Sequence, residues 1–309
     1  MTNATKTLGA IFVALLAFTA FKSVFSNTRT SRAFSAEIIQ FDSAKVNRVD
    51  VYTTANGNIS LTKENGSWFL MGEDGTTKYE VEENAVVDGL IQLGDLKLKA
   101  VATRDENKYT RYQADSTGTI VELYNGDRKV AGITIGRFQF VSQQEFNTYV
   151  KPHDAPEVYS VEGFLSSYFS KNRDGWRRKK LWDFSRDDIQ QVDFSYPSDS
   201  SYSIRKTLEG SWVSGSDSLS TNKVNSFLSS LAGLRANSFL DALQPNLLPP
   251  PVYSVRFSLS NGSQKSLNLT PLSEGGDFQA SASEFPYVVK INKSTVENSI
   301  LKPRSAMFD

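Results

Sequence analysis

The sequence contains no cysteine, and only one of its 309 residues is histidine. Without thiols there are no disulfide staples, thiolate metal sites, cysteine nucleophiles or lipid attachments through sulfur. A single imidazole leaves little room for a His-Asp-Ser triad or a histidine-rich zinc centre. Charge of one sign is also lacking, because 34 Lys and Arg balance 34 Asp and Glu. Chains that coat nucleic acid carry surplus cations to displace counterions, so no nucleic-acid partner is expected. The chain has no Gly-Lys-Ser/Thr phosphate loop and no Gly-x-Ser-x-Gly elbow, and Gly132-Ile-Thr-Ile-Gly136 is not a dinucleotide fingerprint. No cofactor and no metal are expected, and an enzyme is unsupported. Residues that build a core are plentiful, with 39% hydrophobic and 12% aromatic.

The longest apolar run is Leu8 to Phe21, fourteen uncharged residues between Lys6 and Lys22. Extended to Phe25 it reaches 18 residues, about 27 Å as a helix, close to the thickness of a bilayer core. Lys22 can snorkel to the interface. A cleaved signal peptide has a similar apolar length. Cutting after Ala20, however, puts Phe18 where a small residue is needed, and Val24-Phe25-Ser26 is only tolerable. The expectation is an uncleaved transmembrane anchor over 1–25 and a basic juxtamembrane linker over 26–40, carrying Arg29 and Arg32. Membrane lipid is then the anchor's partner. Lys22, Arg29 and Arg32 follow the span while Lys6 precedes it, so charge counting does not orient the helix. The large polar body and the lack of a second apolar run favour one anchoring helix with an extracytoplasmic C-terminal body.

The rest of the chain repeats itself. Val46-Asn-Arg-Val49-Asp50-Val51 matches Ile189-Gln-Gln-Val192-Asp193-Phe194, and Asn65-Gly66-Ser67-Trp68 matches Glu209-Gly210-Ser211-Trp212. Each Gly-Ser pair reads as a hairpin turn with the Trp opening the next strand. Helical periodicity follows in both copies. It runs from Glu83 to Leu96 through Val86, Val87, Leu90 and Leu93, and from Thr221 to Leu234 through Val224, Phe227, Leu228 and Leu231, with Ser220 or Thr221 as cap. The Asn125-Gly126 and Asn261-Gly262 pairs, each flanked by alternating residues, predict a second hairpin per copy. Return strands are expected at Val130 to Ile135 and Ser266 to Leu269. Later strands at Asn147 to Val150 and Tyr287 to Ile291 are matched to each other. Short helices follow at Val161 to Phe169 and Ser294 to Ile300. The fold class is α+β: two tandem units, 41–183 and 184–309, each with about six antiparallel strands backed by two helices.

The pattern of an apolar anchor, Asp42-Ser-Ala-Lys-Val46-Asn-Arg-Val-Asp-Val51, Ile59-Ser-Leu-Thr-Lys63, Gly66-Ser-Trp68 and Leu93-Gly-Asp-Leu96-Lys resembles the domain of unknown function numbered 4340. It recurs at Ile189 to Val213 and Asn225 to Arg235. Where the family has Trp-x-Leu and then proline, this chain has Trp68-Phe-Leu-Met-Gly-Glu-Asp-Gly-Thr without proline. The resemblance implies a membrane-associated bacterial protein, hence a single-pass protein of the cytoplasmic membrane with its body in the periplasm, and in some cases one encoded beside ABC-transport components of the gliding-motility type. It implies membrane-protein complex partners, possible ABC-transport components among them, and supplies no catalytic residues.

Few residues suggest chemistry. His153 sits in Pro152-His-Asp-Ala-Pro156 and reads as part of an exposed turn. Asp187-Asp188 reads as a cap or solvated turn rather than a cation site, and Asp199-Ser-Ser lacks a histidine to activate it. The densest feature is Lys171-Asn-Arg173-Asp-Gly-Trp176-Arg177-Arg178-Lys179-Lys180, six cations against Asp174. Lys171, Arg173, Trp176, Arg177, Arg178, Lys179 and Lys180 form the candidate contact surface, for anionic headgroups or an acidic partner. The competing reading is a connection whose tryptophans, Trp176 and Trp182, pack into cores. Pro245 to Pro251 reads as a stiff connector. The resulting expectation is a non-catalytic accessory or scaffold subunit of an envelope complex. The alternatives are an envelope hydrolase or polysaccharide-binding protein with a site between the units, and a lipid-binding or sensor module.

Overall fold

The computed structural model describes residues 38–308 apart from Glu83, 143–144, Asp199 and 273–275. The expected anchor and most of the juxtamembrane linker lie outside the described residues. Among the described residues no helix is long and apolar enough to cross a membrane. The body divides into two compact units, with the division between Arg178 and Lys179.

The first unit runs through β1 (Arg48–Thr53), β2 (Gly57–Glu64), β3 (Ser67–Met71), β4 (Lys78–Glu80), helix α1 (Ala85–Gly94), β5 (Leu98–Thr103), a short helix α2 (Tyr109–Tyr112), β6 (Thr119–Asn125), β7 (Arg128–Phe140), β8 (Phe146–Pro152), β9 (Val158–Glu162), α3 (Ser166–Phe169) and α4 (Arg173–Trp176). The second contains β10 (Ile189–Ser195), β11 (Tyr202–Lys206), β12 (Trp212–Ser214), β13 (Asp217–Ser218), α5 (Thr221–Ala232), β14 (Ser238–Phe239), β15 (Tyr253–Leu259), β16 (Gln264–Pro271), β17 (Phe278–Ala282), β18 (Val289–Ile291) and α6 (Lys293–Ser299). The two sheets are ordered β4-β3-β2-β1-β6-β7-β8-β9-β5 and β13-β12-β11-β10-β15-β16-β17-β18-β14. Subtracting nine from each strand of the second list reproduces the first. The duplication read from the sequence is therefore a duplication of topology, with nine strands per unit rather than six.

Register follows the sequence match residue by residue. Val49 faces Leu123 and Val51 faces Val121, just as Val192 faces Phe257 and Phe194 faces Val255. Even a surface detail repeats, since the Ser60 hydroxyl donates to Asp50 at 2.6 Å and the Ser203 hydroxyl to Asp193 at 2.7 Å. The buried member of each alternating pair points to one face of the sheet, where the helix lies. On α1 the buried residues are Val86, Gly89, Leu90 and Leu93. Val87, expected on that face, is 40% exposed because it lies one position off the stripe. On α5 Val224, Phe227, Leu228 and Leu231 are all buried. Ser220 occupies the cap position of α5 without a side-chain capping bond.

Turn chemistry explains the hairpins. Asn65 and Gly66 both have positive φ (49° and 89°) between the paired Glu64 and Ser67, the two-residue loop that matches strand twist. At the β6–β7 turn Asn125 instead ends the strand opposite Arg128, and Gly126 takes the positive φ. Two expectations need correction. Val161 belongs to β9, and the helix after it shrinks to α3. The strand equivalent to Asn147–Val150 is β17, while Tyr287 to Ile291 leads into β18, the counterpart of β9. Small residues in Phe278-Gln-Ala-Ser-Ala282 gave β17 little apolar signal.

Candidate functional site

The basic segment crosses the division between the units, and each part of it pairs with the backbone of its own unit. In the first unit Val81 bridges Arg177, Glu82 N–H donates to the Trp176 carbonyl (2.9 Å), and Arg178 N–H donates to Glu80 (2.8 Å), so the segment closes the β4 edge. In the second, Lys180 bridges Arg235, and Ala236 N–H donates to the Lys179 carbonyl (2.9 Å). Trp176 is fully buried and Arg177 is 3% exposed, with its guanidinium 4.0 Å from the centre of the Tyr79 ring. Arg173 donates to the Met71 carbonyl at 2.5 Å, and Arg178 to the Glu80 carboxylate at 3.0 Å. Lys171 lies 4.6 Å from the centre of the Trp176 ring, and burial holds its ammonium below the ordinary lysine range. Lys180 stands 3.9 Å from Asp183. Trp182 is also buried and donates its indole N–H to Leu231 at 2.9 Å. The arrangement accounts for Trp176 and Arg177 as interior residues.

His153 lies in the exposed turn after β8, as the sequence predicts. Its N–H donates to the Gly132 carbonyl (2.9 Å), which extends the β7–β8 ladder past Pro152. The ring lies over Gly132, where a Cβ would come within 2.4 Å of Nδ1. Lys129 Nζ is 3.1 Å from Nδ1 and is ion-paired with Glu122, which accepts from the Tyr124 hydroxyl at 2.7 Å. Asp188 accepts from the Ser185 N–H (2.8 Å) and hydroxyl (2.9 Å), the cap expected of it. Among the described residues no three His, Asp or Glu side chains group to hold a metal.

The feature that sequence reasoning missed is at the far end of β7. This strand has 13 residues where its counterpart β16 has 8, and the added length carries Phe138 and Phe140. An irregularity between Ile135 and Phe138 resets the register, after which Phe140 pairs with Phe146 of β8. Gly163, at φ 106°, donates its N–H to the Phe146 carbonyl (2.9 Å) and turns the chain so that Phe164 joins the group. Ring centres lie 5.4 Å apart for Phe138–Phe140, 4.7 Å for Phe138–Phe164 and 5.1 Å for Phe140–Phe146. The cluster is nonetheless open to solvent: Phe140 is 65% exposed, Val141 52%, Phe164 41% and Phe138 40%. Beside it Lys99 pairs with Glu162 (3.1 Å) and Glu145 (3.4 Å). The Glu162 carboxylate, then Glu145, raises the Lys99 ammonium further above neutrality, so the rim stays charged. An apolar centre with a polar rim is the anatomy of a docking surface. The signal was present in Phe138-Gln-Phe140, a period-two pair of large apolar residues beyond the repeat.

A family model described as "Domain of unknown function (DUF4340)" matches residues 68–251, well over half of the chain. The chain belongs to the DUF4340 family. No curated protein matches it. The DUF4340 match begins at Trp68 of β3 and ends at Pro251, just before β15. It therefore takes in the aromatic end of β7 and crosses from one unit to the next. The run Leu8 to Phe21 lies outside it.

Proposed function

We propose that this DUF4340 protein is a non-catalytic, membrane-anchored accessory or scaffold subunit of a bacterial envelope complex. Its body is extracytoplasmic, and its partner belongs to an ABC-type transport or gliding-motility-type system. The observation that carries this reading is the exposed Phe138–Phe140–Phe146–Phe164 cluster, added to one copy of a repeated sheet and without a counterpart among the described residues of the other. The occupant is a protein rather than a lipid leaflet. Glu145 and Glu162 at the rim oppose an anionic headgroup layer, whereas paired charges of both signs suit a protein rim. The apolar run Leu8 to Phe21 supplies the anchor in this reading, and 26–40 the tether.

The test is purification of the full chain from its native membrane in mild detergent, comparing wild type with Phe140→Ser combined with Phe164→Ser. Both rings are already partly in water, so the fold tolerates the change. Each ring contributes about 1.5 to 3 kcal/mol when fully buried, so partner recovery falls at least tenfold in the double variant. Equal recovery of the same stoichiometric subunit from both would refute the docking role.

A further inference from the structure

The two units cover the same patch of sheet in different ways. In both, the connection between the fifth and sixth strands of the unit crosses the outer face, opposite the helix. Register equates Ile133 with Leu267 and Pro152 with Ala282. Thr134, Gly136, Tyr149 and Lys151 of the first unit thus correspond to Asn268, Thr270, Gln279 and Ser281 of the second. In the first unit the patch is filled. Tyr112 packs on Tyr149 with ring centres 4.7 Å apart, Lys151 lies 5.3 Å from the centre of the Tyr109 ring, and a Cβ on Gly136 would come within 2.1 Å of the Tyr112 carbonyl.

In the second unit the connection is Pro245 to Pro251, which bridges the patch without filling it. A cleft of about 280 Å³ remains between Leu248, Pro249, Pro250 and Pro251 on one side and Asn268, Thr270, Gln279 and Ser281 on the other. Asn268 faces Ser281 and Thr270 faces Gln279 across β16 and β17, so the four side chains form a two-by-two tile. Asn268 accepts from the Ser254 hydroxyl at 3.0 Å through its oxygen, which leaves its amide hydrogens for a ligand. The side chains of Thr270, Gln279 and Ser281 make no hydrogen bond among the described residues. Among the described residues no charged side chain lines the cleft.

We infer that this cleft in the second unit binds a short segment of a neutral glycan. Amides and hydroxyls both donate and accept, as sugar hydroxyls require. The proline and leucine carbons offer the apolar wall that the C–H face of a sugar ring needs. The absence of charge in the lining disfavours phosphorylated or carboxylated ligands, and the volume limits the occupant to a small ligand or the end of a chain. The rigid proline bridge limits the ordering cost of binding. This site is independent of the aromatic docking surface and does not rest on its assignment.

The experiment is to screen the full chain, in detergent, against hexamers of β-1,4-linked glucose, β-1,4-linked N-acetylglucosamine, α-1,4-linked glucose and β-1,3-linked glucose. Isothermal titration of the strongest binder follows. At least one hexamer binds, and Gln279→Ala with Ser281→Ala weakens it tenfold or more at an unchanged melting temperature. A second variant, Gln279→Tyr with Ser281→Lys, installs the residues that fill the patch in the first unit and also abolishes binding. The inference is overturned if none of the four hexamers binds at millimolar concentration, or if binding survives both variants.

Discussion

At the scale of single residues, His153 shows how context rewrites a side chain. Between two prolines in sequence it reads as solvent-facing, and the residue does sit in an exposed turn, but its ring packs over Gly132 and its side chain keeps 27% exposure. Burial first, then the Lys129 ammonium, hold its pKa below the ordinary 6.5, while Glu122 pulls the other way and Lys151 and Asp154 act weakly in opposite senses. The unfolded chain therefore binds the proton more readily than the native one, and stability rises with pH through that window. Stability should decline as pH falls below about 6.5 and level off once the native imidazole is protonated. The carboxylate of Glu122, whose pKa is lowered mainly by Lys129, loses its contribution only below its ordinary 4.5. Urea midpoints at pH 7.5 and 5.5 check the histidine: His153→Gln should flatten the difference, and an undiminished slope would assign it elsewhere. The missing Cβ of Gly132 creates this packing, and it became visible only once β7 and β8 were paired.

Elements were legible in proportion to their length and apolar content. The stripes of α1 and α5 and the register of β1 with β10 could be read because each carries several core residues at one period. The edge strands could not. Lys78-Tyr-Glu80 and Asp217-Ser218 are polar and two or three residues long, and only the neighbouring strand makes them extended. The same nonlocality hid the fate of Arg177. Six cations within ten residues read as a surface, but pairing at the β4 edge draws Arg177 inward onto Tyr79. Arg177→Ala should therefore cost about 2 to 4 kcal/mol of stability, through lost packing and a broken buried contact. Arg177→Lys should recover only part, because an ammonium lacks the planar stack. Lys180→Ala, which removes an exposed charge, should shift stability by less than about 0.5 kcal/mol. Chemical denaturation of the three variants separates these outcomes, and a neutral Arg177→Ala would return the segment to a surface role.

At the scale of the whole molecule, duplication supplies its own control. Two sheets of identical strand order share their hairpins, their helix and an Asp–Ser pair, so what they do not share stands out. The first unit adds an aromatic end to β7. The second replaces a tyrosine-packed connection with a proline bridge over a polar cleft. The sequence repeat revealed the shared part, since core residues recur at matching positions. It concealed the differences, because exposure of Phe140 and the opening above Gln279 depend on which strands lie side by side. In the proposed role, the aromatic end docks a partner subunit. The most direct test is a photo-crosslinking residue placed at Phe140 in the full chain and irradiated in living cells, with Leu208 as a fully exposed control on the second unit. One protein adduct is expected at position 140, identical to the subunit recovered stoichiometrically in detergent, and none at position 208. Adducts to lipid alone, or no adduct at 140 while the subunit still co-purifies, would contradict it.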